Sequence, residues 1–454
     1  MEFVSINPAT GQELGRYPTV DDAGVEAALE AASTGSARWR DAPIEQRAQV
    51  LVAAARLLES EADKLAALMS VEMGKPYREA RSEAQKSAWV CRHYAEHGAG
   101  FLADEPAESD GQRAWIRYEP RGAILGIMPW NFPFWQVFRM AAPALLAGNV
   151  VLIKHAPSTP RCAEAVATIW RRAGAPKEVY QDLRVDLRQV EGLIHDRRVA
   201  AVTLTGSTRA GAAVAAIAGA ALKKTILELG GSDPCVVMPS ADLEQAVNVG
   251  LRSRVLNNGQ SCVAAKRFIV HEDIADAFEA RFVEAMAALS VGDPMDDDVD
   301  VGPIASEALR DHLAEQVRQT VEAGATVRLG GEVPRGPGFF YPPTVLTHVP
   351  EGTPAWKDEL FGPVASILRV PDLATAITVA NGTDYGLGAS AWTTDEAEAD
   401  TLVRRLEAGS VVINGMVKSD PRLPFGGIKR SGYGRELGRH GIRELCYVKS
   451  VWTA

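Results

Sequence analysis

AAVTLTGSTRAGAAVAAIAGAALKKTILEL, residues 200–229, is the stretch whose reading decides the fold. Residues 200–205 are apolar apart from two threonines, the composition of a buried strand. Gly206 and Ser207 punctuate it, and the alanine-rich run 209–219 then reads as a helix. A second short run, KTILEL (224–229), follows as another strand. Strand, helix and strand in this order make a βαβ unit, so the two strands lie parallel with the helix packed across them. Ligands of such sheets bind beyond the carboxyl ends of the strands.

Working outward, GAILGIM (122–128) and NVVLIK (149–154) are further strands, and 159–173 is a helix with Pro160 in its first turn. The first hundred residues read mostly helical, over 21–33, 44–73 and 77–98, with Gly74 closing the second helix. ADEPAESDGQ (103–112) is a connection, and 115–119 is a short alternating strand suited to an edge or a subunit boundary. Beyond residue 232 the alternation resumes. Strands are expected at 233–238, 267–270 and 410–414, and helices at 243–256, 274–289 and 305–324. The chain closes on an alternating strand, CYVKSVW (446–452). The expectation is an α/β protein of two parallel-sheet domains meeting near 228–232.

Length and composition narrow the function. A chain of 454 residues is too long for one small core and suggests two or three domains. A net charge of −10, with no Lys/Arg-rich run, argues against nonspecific nucleic-acid binding. No apolar stretch is long enough to span a membrane, and MEFVSINPATGQ does not read as a secretory signal. Five scattered cysteines fit free thiols in the cytoplasm better than a disulfide framework. The eight histidines form no metal-binding motif, so no protein-bound metal is expected.

Five short segments have the residue types that chemistry needs. NNGQSCVAAK (257–266) mounts Cys262 among small neighbours, which fits a nucleophilic thiol and equally a buried structural cysteine. In PWNFP (129–133) two prolines fix the backbone around Asn131, giving either a preorganised oxyanion donor or a proline-rich strand cap. GSTRAG (206–211) opens a helix, where unpaired N–H groups favour a phosphate, although an ordinary glycine turn has the same spacing. In ELGG (228–231), Glu228 ends an apolar strand, and burial there raises a carboxyl pKa toward that of a general base. ELFGP (359–363) offers Glu359 to sugar hydroxyls and Phe361 to a ring, or is a turn around a buried phenylalanine.

Together, PWNFP, GST-x-x-G, ELGG, GQSC and E-x-FGP resemble the aldehyde dehydrogenase superfamily, in its order and across essentially the whole chain. PWNFPFWQVFR, LKKTILELGGSDP and NGMVKSDPRLPFGG look like its short bacterial succinate-semialdehyde dehydrogenases. The resemblance implies a cofactor-binding domain over 1–101 and 121–230 and a catalytic domain over 231–425. It implies a small β oligomerisation element from 102–120 and 426–454, in a homodimer or homotetramer. It implies NAD or NADP as cofactor, held by Trp130, Lys154, Gly206, Ser207, Gly211, Glu359 and Phe361. Cys262 would attack the aldehyde carbon, Asn131 would hold the oxyanion, and Glu228 would activate water to release the acid. The substrate would be a small aldehyde with a distal carboxylate, held by Arg139, Trp135 and Ser419.

Three positions depart from the family pattern. Leu256 stands where some members carry a second carboxylate-binding arginine, and Met140 where many carry a proton-relaying lysine. Pro157 stands where NAD-preferring members often hold the ribose with a glutamate, which leaves NAD and NADP both open. Glutarate semialdehyde or another aliphatic aldehyde is the alternative substrate. A thiol esterase or hydrolase using Cys262 and Glu228 is the alternative of another class, and it leaves GSTRAG, Lys154 and Glu359 without a purpose.

Overall fold

Parallel pairing is what the opening stretch produces. In the computed structural model, which describes residues 2–454, Val199–Thr205 runs parallel to Lys224–Glu228 with Thr205 opposite Glu228. The helix Thr208–Ala220 joins them. Ala123–Ile127 pairs with the other side of Val199–Thr205, followed by Val150–Lys154 and then Tyr180–Asp182 at the edge. The register puts Ile127 opposite both Leu204 and Lys154, so these central strands end at one level. Asn131, Lys154, Gly206 and Glu228 therefore lie at or just past one rim of the sheet, where the crevice rule puts ligands.

A second sheet runs Thr326–Leu329, Thr344–Thr347, Val364–Val370, Arg267–His271, Pro234–Val237, Gly388–Trp392 and Ser410–Ile413. Its pairs are parallel except the first, which is antiparallel. Residues alternate between two apolar layers. Val236, Ile269, Leu346 and Leu368 face one, and Val237, Phe268, Val345 and Ile367 the other. Both faces are covered, which is why these strands read as continuous apolar runs. A third sheet of three strands pairs Cys446–Thr453, Arg113–Pro120 and Glu105–Ala107.

Several elements differ from the sequence expectation. The first helix continues from Asp22 to Asp41, and the long helix breaks at Glu61 (φ −109°, ψ 14°) into Ile44–Ser60 and Ala62–Met73. Gly74 does end it, in the left-handed conformation at φ 82°. The hairpin Glu2–Ile6 with Glu13–Pro18 was not anticipated by a mostly helical reading. Gly432–Tyr433, within the segment assigned to oligomerisation, adds an antiparallel strand to the first sheet beside Glu228. Among the described residues, no helix is long and apolar enough to cross a membrane.

Candidate active site

The cysteine loop is built on unusual backbone. Asn257 (φ 55°), Asn258 (φ 59°) and Gly259 (φ 75°) lie consecutively in the left-handed region, which L-residues adopt only when their surroundings enforce it. The enforcement is visible. Asn258 Nδ2 donates to the Gly74 and Pro303 carbonyls at 2.7 and 2.9 Å, and its Oδ1 accepts from Gly302 N at 2.7 Å. Asn257 Nδ2 donates to the carbonyls of Asn131 and Gln260. A Cβ on Gly259 would sit 2.4 Å from the Gly362 carbonyl carbon, so glycine is required there.

Lys266, four residues after the cysteine, holds the other side. Its buried Nζ donates to the Ser261, Cys262 and Ala264 carbonyls at 2.8, 2.7 and 3.2 Å and lies 3.6 Å from Glu359 Oε1. This role was missed from the sequence, although a lysine so close to a candidate nucleophile was a usable signal. Arg254 is fully buried and donates to the Gly259 carbonyl at 2.6 Å, so it braces the loop instead of replacing an arginine at Leu256. Cys262 itself is half-buried, and burial pushes its thiol up to about 12, with Lys266 and Arg139 pulling the other way. The resting chain thus carries a neutral thiol.

Asn131 and the turn after Glu228 approach this loop from the first sheet. Asn131 is buried and its Nδ2 donates to the Gln260 carbonyl at 3.1 Å, leaving the second N–H of that amide for another acceptor. The turn after Glu228 packs on the backbone of Cys262, since a Cβ on Gly231 would meet the Cys262 carbonyl oxygen at 2.8 Å. Glu228 is 2% exposed, and neither carboxylate oxygen has a hydrogen-bond partner among the described residues. Burial raises its pKa well above the usual carboxyl range, with Glu436 adding to the rise and Arg139 and Arg435 opposing it.

The cofactor candidates fall into two groups. Trp130 and Phe361 meet edge to face at 5.8 Å, and Glu359 accepts from Gly231 N at 3.1 Å beside Lys266. Gly206 and Ser207 open the helix Thr208–Ala220, with Ser207 Oγ capping Ala210 N at 3.3 Å. Gly211 packs on Leu229, which a Cβ there would strike at 2.5 Å. Lys154 is buried, its pKa lowered by burial alone, and no carboxylate pairs with it among the described residues. A desolvated cation without a counter-charge and an exposed helix N-terminus, both at the ends of strands in one sheet, fit a phosphate-bearing dinucleotide. Pro157 is exposed and leaves no carboxylate at its position.

The substrate candidates do not all come together. Trp135 Nε1 donates to Ser419 Oγ at 3.1 Å. Lys86, which the sequence reading did not single out, donates to the same oxygen at 3.0 Å. Arg139, read from the sequence as an anchor for a substrate carboxylate or as one half of an internal pair, is paired within the chain. It forms a buried ion pair with Glu436, donates to Thr205 Oγ1 at 3.3 Å and lies over the Phe425 ring. A guanidinium 2% exposed needs a counter-charge, and the chain supplies it internally from Glu436 in the GYGRE segment. Met140 is buried, packed against the strand at Gly126.

Residues 1–451 match the aldehyde dehydrogenase family. A Mycobacterium ulcerans protein named succinate-semialdehyde dehydrogenase (NADP+) 1 is 52% identical over 457 residues, spanning all of both chains. Its Mycobacterium tuberculosis namesake is 51% identical over the same span. Among solved structures, succinic semialdehyde dehydrogenase from Streptococcus pyogenes in complex with NADP+ superposes with a TM-score of 0.97 at 35% identity, over 99% of each chain. Lactaldehyde dehydrogenase from Escherichia coli gives 0.97 at 34% identity, over 100% of this chain and 95% of that one.

Proposed function

Because the chain belongs to the aldehyde dehydrogenase family, we propose that it oxidises succinate semialdehyde to succinate with NADP+. The observation that carries the reaction is the convergence on Cys262. The Asn131 amide lies on the loop carbonyl two residues before it, and the turn after Glu228 packs on its own carbonyl. The full-length likeness to succinate-semialdehyde dehydrogenases supports the substrate.

Cys262 Sγ adds to the aldehyde carbon as its proton passes to Glu228. The resulting oxyanion faces the free N–H of the Asn131 amide and the backbone N–H of Cys262. The bound dinucleotide supplies the hydride acceptor that leaves a thioester on Cys262. Once Glu228 has released the thiol proton to solvent, it takes a proton from the water that attacks this thioester and returns it to the Cys262 thiolate as the acid leaves. Lys154, the GSTRAG helix start, Trp130, Phe361 and Glu359 hold the dinucleotide. Lys154 without a neighbouring carboxylate favours a 2′-phosphate over a bare ribose. The two large sheets serve as the cofactor and catalytic domains. We also propose cytoplasmic residence, supported by five free cysteines, and a homodimer or homotetramer. The assembly is supported by the edge strand Cys446–Thr453, which exposes Val448 and Trp452.

Turnover of an aldehyde panel with NAD+ and NADP+, followed at 340 nm, tests this reading. Succinate semialdehyde with NADP+ is expected to give the highest kcat/KM, and Cys262→Ala to abolish it. A neutral aldehyde preferred over the semialdehyde would overturn the substrate assignment, and turnover by Cys262→Ala would overturn the covalent mechanism.

A further inference from the structure

The charges around the proposed substrate end do not balance within the chain. Glu83 pairs with Lys75, Asp420 with Arg422, and Glu436 with Arg139. Of the two cations left without a carboxylate partner among the described residues, Lys418 is exposed and Lys86 is not. Lys86 is half-buried on the helix Tyr77–Phe101, and no carboxylate lies within ion-pair distance among the described residues. Its ammonium lies 4.3 Å from the Trp135 ring centroid and donates to Ser419 Oγ. Ser419 is itself buried and accepts a second bond, from Trp135 Nε1. A serine hydroxyl has two acceptor positions and one proton. With both positions occupied, the Ser419 O–H is free to donate to a third partner. An ammonium with unused protons beside a hydroxyl aimed to donate is a receptor for a carboxylate. Trp135 follows Asn131 by four residues and opens the helix Trp135–Leu146.

We propose that Lys86, with Ser419 and Trp135, binds the distal carboxylate of the substrate and sets the preference for an anionic aldehyde. The assignment rests on the function proposed above. It places the anchor on a helix of the N-terminal region, where neither Arg139 nor Leu256 is needed. The groups facing Lys86 are Glu83 on its own helix, Arg139 on the helix Trp135–Leu146, and Lys418 and Asp420 on the loop carrying Ser419. Burial, then Arg139, lowers the Lys86 pKa to about 8, so the anchor is charged at neutral pH and loses its proton above that.

Steady-state kinetics of wild type, Lys86→Met and Lys86→Arg, with succinate semialdehyde and with butanal, test it. Losing one charge-assisted contact, about 1.5–3 kcal/mol, corresponds to a KM increase of about tenfold or more. Lys86→Met is expected to show that rise for the semialdehyde with a smaller change in kcat, cutting the semialdehyde-to-butanal ratio of kcat/KM by a similar factor. Lys86→Arg is expected to recover most of the ratio. The wild-type KM for the semialdehyde should climb above pH 8, whereas that of Lys86→Arg should stay level. A wild type that prefers the semialdehyde, with a Lys86→Met variant that keeps the preference, would overturn this inference alone. A wild type without the preference would instead remove the function on which it rests.

Discussion

Replacing Arg139 by methionine separates an internal ion pair from a substrate anchor. In the structure, the Arg139 guanidinium is 2% exposed and Glu436 4% exposed, and Arg139 is the cation that holds Glu436. Glu228, buried and without a hydrogen-bond partner among the described residues, feels the same guanidinium. Removing it leaves two desolvated carboxylates without their shared cation, which costs about 3–5 kcal/mol when one partner of a buried pair is lost. The loss should depend on pH in a definite direction. Burial already raises the Glu436 pKa while Arg139 lowers it, so the variant's Glu436 titrates higher still. Between the unfolded and folded values the native state binds the extra proton, and stability falls as pH rises. Urea unfolding followed by tryptophan fluorescence should therefore show a larger deficit at pH 8 than at pH 6. The double variant Arg139→Met/Glu436→Leu should regain most of it, because an apolar pair of similar volume replaces a buried ion pair at little cost. A deficit at pH 8 under about 1 kcal/mol, well below the cost of breaking a buried pair, would refute the reasoning. So would a double variant no more stable than the single one.

Glu436→Gln removes the negative charge that raises the Glu228 pKa, so the acid limb of kcat should move to lower pH. A pH–rate profile that stays in place would show that Glu228 is not the titrating base. Gly259→Ala forces a Cβ to within 2.4 Å of the Gly362 carbonyl carbon at φ 75°, and so displaces the loop carrying Cys262. Labelling of Cys262 by a thiol reagent should change together with the loss of kcat, and full activity would refute the need for left-handed backbone there.

The sequence showed the central strands and their ends because these features are local. Short apolar stretches such as 150–153 and 226–227 arise from burial on both faces, and Gly206 marks where a strand gives way to a helix. The motif residues at those ends were legible for the same reason. The hairpin Glu2–Ile6 with Glu13–Pro18 was hidden because its strands are short and Glu13–Pro18 is only partly buried, so neither carries a strong pattern. The break at Glu61 leaves the apolar periodicity on both sides intact, which is why 44–73 read as one helix. Glu436 could not be named from the sequence as a partner for Arg139 because it is far along the chain, on a glycine-rich loop that no periodicity locates. Lys86 was invisible for the converse reason. On a helix full of charged residues nothing distinguishes it until its neighbours are seen to be paired with others.

That charge accounting links the two ends of the proposed reaction. A buried or half-buried ammonium is costly unless a counter-charge accompanies it. Near the site, Lys75 has Glu83 and Lys266 has Glu359 as partners, and both lysines fix backbone or helix ends in the resting chain. Lys154 and Lys86 have none among the described residues. One lies at the end of a strand in the cofactor sheet, and the other beside Ser419 and Trp135. Their missing partners are accounted for if the ligands are anions, a phosphate-bearing dinucleotide at the first and a carboxylate-bearing aldehyde at the second. Arg139, paired within the chain, then serves a separate purpose. Burial and then Glu436 raise the Glu228 pKa, and Arg139 opposes that rise from a position that the substrate need not touch.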